Sequence, residues 1–290
     1  MPEMLEAEAA RAFLEEHALR RTIARVVAPD AWYLKRGLTA GAAGDALVGR
    51  QVVTARRIGK QLLLDTGART RQSNEASGAA SARESGTPPS SECDREGGPV
   101  LGLHLGMSGR VVVDGESAGD PLLYASNAEN PAWLRFGVEF DDGGSLAMRD
   151  PRRLGAVELD PDESRWGPDA STIDRTALER ALAKSTAPLK AVLMDQSRIA
   201  GLGNLLVDEV LWRAGFDPAR EAKSLTEDDR AALARTIRHT VRVLGRRGGS
   251  HTGELQASRA RGGRCPRDGA ELLRRTVGGR TTYSCPVHQR

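Results

Sequence analysis

The chain has 290 residues, which is enough for two domains and a small additional module. Its apolar runs stay below the roughly 18 residues of a membrane span, and its N-terminus is acidic, unlike a secretory signal. Three cysteines are too few, and odd in number, for a disulfide framework, so we expect a soluble intracellular protein.

The net charge of +3 is unevenly distributed. Residues 241–290 carry 11 arginines and three acidic residues, a net charge of +8, whereas residues 1–240 carry −5. The chain has 37 arginines and five lysines, a ratio that is typical of a GC-rich coding bias. The position of the arginines is therefore more informative than their number. A basic C-terminal block is typical of a protein that binds a polyanion such as nucleic acid.

The first predicted element is an amphipathic helix over residues 3–20, behind the opening MPEMLEAEAARAF. Pro2 has two interpretations. Proline suits the first turn of a helix because its missing N–H would be unpaired there. Alternatively, removal of Met1 would expose Pro2 as a secondary amine, which is a strong nucleophile. Three carboxylates follow within six residues: Glu3, Glu6 and Glu8.

Strand patterns follow, with VVTARR and QLLLDT over 46–66 joined by a tight turn that contains Lys60. Residues 67–99 are poor in large apolar side chains, and we expect a disordered insertion there that contains Cys93. Strands resume between 100 and 160. The pattern predicts a β-sandwich or barrel with a helix at its start. From its position alone, Lys60 can be interpreted as an ordinary solvent-exposed lysine.

Two glycine-flanked turns in this half have a possible role beyond packing. HLGMSGR carries Met107, and DPRRLG carries Arg152, Arg153 and Leu154. A methionine at a strand end commonly fills the core. An exposed methionine with a nearby arginine and leucine could instead replace an extruded base in duplex DNA.

Residues 161–173 are interpreted as a linker, and the pattern from about 174 to 247 is helical. Its last helix begins at the acidic capping box Thr226–Asp229. Between two helices, SRIAGLGNLLVDE allows a tight turn with Asn204 as helix cap, and such a helix start binds phosphate well. A plain helix–turn–helix hairpin is the alternative.

The last residues contain a set with metal-ligand spacing. Cys265, Asp268, Cys285 and His288 follow one another at x2, x16 and x2, the layout of a zinc ribbon built on hairpins. A ribbon that packs without metal is the alternative, and Asp268 is the unusual ligand. VGGRTT would form the hairpin tip and place Arg280 on a short arm suited to phosphates.

Taken in order, these features resemble the formamidopyrimidine-DNA glycosylase/endonuclease VIII family. The resemblance is carried by PE-x-x-E, the GK of the strand turn, HLGMSG, DPRR-x-G, LMDQS-x-x-AGLGN-x-x-x-DE, and the terminal GGRTT with CP-x-x-Q. It implies an α+β multidomain fold: an N-terminal β-sandwich with a leading helix (1–160), a linker (161–173), a helix–two-turn–helix domain (174–258) and a C-terminal zinc-ribbon hairpin (259–290).

The resemblance also implies a bifunctional DNA glycosylase/AP lyase of base excision repair. Pro2 would be the nucleophile that forms a Schiff base, with Glu3 as acid/base partner, Glu6 in support and Glu209 orienting the amine. One structural Zn²⁺ would be held by Cys265, Asp268, Cys285 and His288. The implied contacts to damaged duplex DNA are made by Lys60, Met107, Arg152, Leu154, Asn204 and Arg280, of which Lys60 and Arg280 also serve the active site.

The chain departs from the family pattern in four places. Leu5 replaces a second proline, Leu154 replaces an aromatic residue, and Asp268 and His288 replace two cysteines. The stretch 248–265 is shorter than the lesion-capping loop and strand of the formamidopyrimidine branch. The lesion therefore stays open between oxidised purines (formamidopyrimidine, 8-oxoguanine) and oxidised pyrimidines.

Two other functions remain as alternatives. One is a catalytically silent protein that binds damaged DNA or abasic sites, and the other is a zinc-ribbon regulator of intact DNA. We expect a monomer without membrane contact, cytoplasmic and associated with a bacterial nucleoid.

Overall fold

The computed structural model describes residues 2–69, 97–118 and 130–290. The predicted insertion therefore lies mostly outside the described residues, as does Cys93. The helices are α1 (Met4–His17), α2 (Ala40–Leu47), α3 (Arg175–Leu182), α4 (Leu189–Met194), α5 (Asn204–Ala214) and α6 (Glu227–Arg246). The strands are β1 (Ile23–Val27), β2 (Arg50–Ile58), β3 (Gln61–Arg69), β4 (Val100–His104), β5 (Arg110–Val113), β6 (Glu116–Ser117), β7 (Leu134–Phe140), β8 (Ser145–Arg149), β9 (Ala156–Leu159), β10 (Leu273–Val277) and β11 (Arg280–Ser284).

The N-terminal part is a β-sandwich, as predicted. One antiparallel sheet has the order β1-β7-β8-β5-β6, and the other has the order β2-β3-β4-β9. Alternate residues of the facing strands point into one core because side chains alternate across a strand. Leu62 and Leu64 of β3, and Phe136 and Val138 of β7, are fully or almost fully buried there, and Leu14 of α1 closes it.

The helical part forms a second core around α5, where Leu206, Val207 and Val210 are completely buried. Helix α6 begins at the predicted capping box, in which Thr226 Oγ1 accepts the N–H of Asp229 at 3.1 Å. None of the described helices is long and apolar enough to cross a membrane.

Helix α1 joins the two cores. Its first residues, Met4 and Leu5, pack with the helical core, whereas Ala7 and Ala10 pack with the sandwich. Leu5, which stands where the family has a second proline, thus fills an apolar site. The start of the chain consequently lies at the junction of the two parts of the molecule.

The structure corrects several sequence predictions. Strand β1 and helix α2 were not predicted, and α1 ends at His17 rather than at residue 20. Strand β3 continues to Arg69, so the first residues assigned to the insertion are paired in a sheet. Helix α1 begins at Met4, which leaves Pro2 outside the helix. The first-turn explanation for this proline is therefore wrong.

Candidate active site

Glu3 is the centre of the site. Its side chain is completely buried, and its carboxylate accepts the main-chain N–H groups of Leu205 at 2.8 Å and Leu206 at 3.1 Å. These are free donors of the first turn of α5, where the helix dipole favours a negative charge. A Cβ atom on Gly203 would lie 2.2 Å from Glu3 Cδ, so only glycine permits this approach.

This arrangement corrects the prediction for Asn204. The N-cap residue of α5 is Gly203, and Asn204 is the first helical residue. Its Nδ2 donates to the carbonyl of Thr281 at 3.2 Å, which links α5 to the C-terminal hairpin. The helix start that we interpreted as a phosphate site gives two of its donors to Glu3.

The charges around Glu3 oppose one another. Burial raises the pKa of Glu3, while the Lys60 ammonium and the two α5 N–H groups act to lower it. Burial in turn lowers the pKa of Lys60, an effect that the carboxylate of Glu3 opposes and the positive charge of Arg280 reinforces. A carboxyl group with a raised pKa beside a lysine is suited to general acid/base chemistry near neutral pH.

Glu6 anchors the main chain at this point. It accepts the N–H of Glu3 at 2.7 Å and, with its other oxygen, the N–H of Ser250 at 2.7 Å. The same carboxylate also accepts the Ser250 hydroxyl at 3.0 Å. Glu6 therefore connects the start of α1 to the segment that follows α6.

Glu209, the acid that we expect to orient the amine, contacts the segment that follows α6. This buried carboxylate accepts the N–H groups of Glu254 at 3.1 Å and Leu255 at 2.9 Å, and it pairs with Arg213 at 2.7 Å. Its hydrogen bonds therefore stabilise the segment after α6.

The turns that carry Met107, Arg152 and Leu154 lie side by side. Gly106 has φ +60°, and a Cβ atom on it would lie 2.4 Å from the carbonyl carbon of Leu154, so the two turns touch. Arg152 is exposed, Leu154 is 47% exposed, and Met107 is half-buried. The three residues are thus carried by two adjoining turns.

Asp150 holds both turns together, and sequence reasoning missed it. Its completely buried carboxylate accepts the Ser108 hydroxyl at 2.5 Å and the N–H groups of Leu154 and Gly155, both at 2.8 Å. The N–H of Arg152 donates to it as well, at 3.1 Å. The signal was present in the DPRRLG motif, where an aspartate precedes a turn rich in free N–H groups.

We expect Asp150→Ala to lower the free energy of unfolding by about 3 kcal/mol or more, because each buried donor left without an acceptor costs about 1–3 kcal/mol. Urea denaturation would measure the change. Asp141→Ala, an exposed aspartate on the same domain, is the matched control and should stay within about 0.5 kcal/mol of wild type. An equally small effect at Asp150 would show that the two turns are held by other contacts.

The C-terminal residues with metal-ligand spacing converge as predicted. One donor atom from each of Cys265, Asp268, Cys285 and His288 lies within 4.8 Å of the others. His288 Nδ1 lies 2.7 Å from an Asp268 oxygen and 3.8 Å from Cys265 Sγ. Two thiols, a carboxylate and an imidazole form a donor set that fits a tetrahedral Zn²⁺.

The surroundings of the donor set fit a metal as well. His288 Nε2 lies 3.1 Å from the carbonyl of Trp212, which leaves Nδ1 directed at the other donors. Trp212 Nε1 donates to Cys265 Sγ at 3.3 Å. Such outer contacts fix the orientation of metal ligands. The described residues therefore could hold a metal ion at this place.

The hairpin of β10 and β11 places Arg280 directly after its tip, as predicted. Gly278 and Gly279 form the tip with positive φ, and a Cβ atom on Gly278 would lie 2.7 Å from the Cβ of Ala191 in α4. The tip thus rests on the helical part while Arg280 stays exposed.

A buried ion pair that sequence reasoning missed fixes this hairpin. Lys190 Nζ, completely buried, donates to Asp208 at 2.6 Å, to Thr282 Oγ1 at 2.8 Å and to the carbonyl of Thr281 at 3.2 Å. Asp208 also accepts a hydrogen bond from Arg259. Because a charge is buried only when it is paired, this pair requires the hairpin, α4 and α5 to come together in one arrangement.

Comparison with known proteins assigns this architecture. The sequence model of the formamidopyrimidine-DNA glycosylase N-terminal domain matches residues 1–157, and that of the H2TH domain matches residues 166–254. The chain is thus a DNA glycosylase of base excision repair. More specifically, it belongs to the formamidopyrimidine-DNA glycosylase/endonuclease VIII family, an enzyme family of glycosylase/AP lyases.

Named relatives and solved structures agree with this assignment. A formamidopyrimidine-DNA glycosylase of Paracoccus denitrificans is 32% identical over 320 aligned positions and covers both chains fully. One of Streptococcus pneumoniae is 37% identical over 218 positions, which cover 66% of this chain and 75% of the relative. Lactococcus lactis Fpg bound to DNA with an abasic site has a TM-score of 0.75 at 25% identity, with full coverage of both chains.

Proposed function

We propose that the chain excises oxidised bases from duplex DNA through an N-terminal proline and then cleaves the strand. Removal of Met1 would free the secondary amine of Pro2, a buried residue directly before Glu3. A terminal amine has a reference pKa of roughly 7.7–8.0, so an appreciable fraction is neutral near pH 7 and can attack.

The chemical steps follow from that amine. The Pro2 nitrogen bonds to C1′ of the damaged nucleotide, the bond to the base breaks, and the opened sugar forms a Schiff base with Pro2. Glu3 transfers protons at the sugar ring oxygen and the leaving group. The imine then acidifies the C2′ proton, and its removal expels the 3′ phosphate by β-elimination. Water finally hydrolyses the Schiff base and restores the amine.

The observation that carries this proposal is the burial of Glu3 at the start of α5, beside Pro2 and within the electrostatic reach of Lys60. A burial-raised pKa keeps a proton available for transfer. Lys60 and Arg280 bring positive charge to the place where we expect the phosphates of the damaged strand. Asn204 supports the same surface from α5 through its hydrogen bond to Thr281.

Met107, Arg152 and Leu154 are proposed to fill the space of the extruded base. Base flipping costs a few kcal/mol of unstacking, which inserted side chains help to offset. The contact between the turns that carry them and the fixation of both turns by Asp150 support this role. Leu154 offers a smaller wedge than an aromatic ring, so we expect tolerance of several bases opposite the lesion.

Borohydride trapping distinguishes the enzyme hypothesis from the hypothesis of a catalytically silent DNA-binding protein. Wild type is expected to form a covalent adduct with abasic-site duplex, and to release oxidised bases from a panel that contains formamidopyrimidine, 8-oxoguanine and oxidised pyrimidines. Binding of the abasic duplex with no adduct and no base release would favour the silent binder.

We propose that Cys265, Asp268, Cys285 and His288 hold one structural Zn²⁺. Zinc would cross-link the hairpin and supply folding free energy that its small apolar cluster lacks. His288 Nδ1 and an Asp268 oxygen lie 2.7 Å apart, so a nitrogen and an oxygen donor are already side by side.

Asp268→Ala tests the unusual ligand. We expect zinc affinity to fall by more than about 100-fold, since the loss of outer contacts alone costs about 10–100-fold. Competition with a chromophoric chelator would measure it. Glu271→Ala, an exposed acid on the same hairpin, should leave the affinity unchanged. Unchanged affinity in Asp268→Ala would remove this residue from the ligand set.

A further inference from the structure

The turn that carries Lys60 packs directly on the helical domain. Gly59 and Lys60 join β2 to β3, and Gly59 has φ +57°. A Cβ atom on Gly59 would lie 2.8 Å from both Ala200 Cβ and the nitrogen of Gly201. The position of Lys60 therefore depends on contact with the glycine turn before α5.

Asp169, in the segment that leads from β9 to α3, holds this turn. One of its carboxylate oxygens accepts the N–H of Gly59 at 2.9 Å and pairs with Arg57 Nη1 at 2.6 Å. Arg57 also donates to the carbonyl of Gly59 at 2.7 Å. The neighbouring main chain is bridged to the helical domain, because the N–H of Ala170 donates to the carbonyl of Ala200 at 2.9 Å.

Comparison with two other aspartates shows that the contacts of Asp169 exceed those of an ordinary serine turn. Asp162, Asp169 and Asp195 each accept the N–H and the hydroxyl of a serine two residues later. Asp169 alone of these three also accepts a hydrogen bond from the N–H before Lys60 and pairs with a largely buried arginine, Arg57. These extra bonds are not needed to close its own turn.

We propose that Asp169 is a positioning residue for Lys60. Its carboxylate fixes Gly59 and Arg57, and so fixes the ammonium of Lys60 relative to the carboxylate of Glu3. This inference rests on the proposed function, in which both groups serve the reaction, and it adds a residue of the segment before α3 to the site.

The electrostatics give the inference a measurable sign. Lys60 lowers the pKa of Glu3, so displacement of its ammonium would raise that pKa. The other titratable or charged groups that interact with this pair are Glu6 of α1, His104 of β4, Lys190 of α4 and Arg280 of β11. The charge of Asp169, if it acts on Glu3 directly, would have the opposite effect, because removal of a negative charge lowers the pKa of a carboxyl group.

The experiment compares full-length Asp169→Asn with Asp162→Asn in single-turnover base excision across pH. In Asp169→Asn, the limb of the pH profile set by Glu3 should move upward by about one pH unit, the low end of the effect of a close opposite charge. Asp162→Asn, which alters only a serine turn, should keep the wild-type profile. Thermal unfolding establishes that each variant is folded.

A double variant tests whether Asp169 acts through Lys60. Lys60→Met should move the same limb upward, and Asp169→Asn added to Lys60→Met should move it no further. Arg57→Lys keeps the positive charge but loses the paired contact of Nη1 and Nη2 with the Asp169 carboxylate, so it should cause a smaller upward shift. It replaces Asp169→Asn as the test if that variant does not fold.

Three results would overturn the proposal. An unshifted profile in Asp169→Asn would show that Asp169 only braces the two domains, a downward shift would show that its charge acts on Glu3 directly, and an additive shift in the double variant would show that it does not act through Lys60. Absence of base excision and of borohydride trapping in wild type would instead contradict the proposed function itself. The two failures are therefore distinguishable.

Discussion

Glu3→Gln is expected to reduce the rate of base excision by about 10²–10⁴-fold, the usual contribution of a general acid or base. The amide cannot transfer a proton, but its oxygen can still accept the N–H groups of Leu205 and Leu206. The fold should therefore persist. Single-turnover release of an oxidised base from duplex DNA measures the rate, and thermal unfolding measures the fold.

The matched control is Glu16→Gln, on the same helix but with a side chain that is 78% exposed. It should keep the wild-type rate. A Glu3→Gln protein that is folded and within threefold of the wild-type rate would remove Glu3 from the chemistry. The buried carboxylate would then be only a cap for α5.

Loss of the metal is expected to weaken DNA binding by about 10–100-fold. Without a cross-link, the hairpin is held by the cluster of Trp212, Leu255, Leu272 and Tyr283 and by the contacts of Lys190, and we expect these to fix Arg280 less firmly. A hydrogen bond to a charged group contributes about 1.5–3 kcal/mol, which corresponds to that range. Fluorescence anisotropy with abasic duplex before and after chelation measures the loss, and added zinc should restore binding.

Cys285→Ser should reproduce the effect of chelation and lower the bound zinc. Cys93→Ser is the control, since Cys93 is far in sequence from the ligand set, and its zinc content should equal that of wild type. If chelated protein binds DNA as tightly as before, Arg280 is held by the Lys190–Asp208 pair without help from a metal.

The general architecture was accessible from sequence because local patterns dictate it. Alternating apolar residues predicted the sandwich, the acidic capping box predicted the start of α6, and the spacing of Cys265 and Cys285 predicted the cluster. Helix α2 was missed because AGAAGDAL holds two glycines, which disfavour a helix, and its stability comes instead from Ala43 and Leu47 in the sandwich core.

The supporting residues of the site were not accessible, because their partners are distant in sequence. Glu3 caps a helix 202 residues away, and Lys190 meets Thr282 across 92 residues. No local pattern contains such pairs. Asn204 shows the same limit in reverse. It has the residue type of a cap, but the carboxylate of Glu3, just before α1, accepts the free N–H groups of α5.

The role of Pro2 is tested most directly by locating the covalent bond. Wild-type protein is trapped with borohydride on abasic-site duplex, digested and sequenced by mass spectrometry, alongside the intact mass of the untreated chain. The account predicts a chain without Met1 and a sugar remnant on the nitrogen of Pro2. A chain that retains Met1 and still nicks DNA, or a remnant on Lys60, would contradict it.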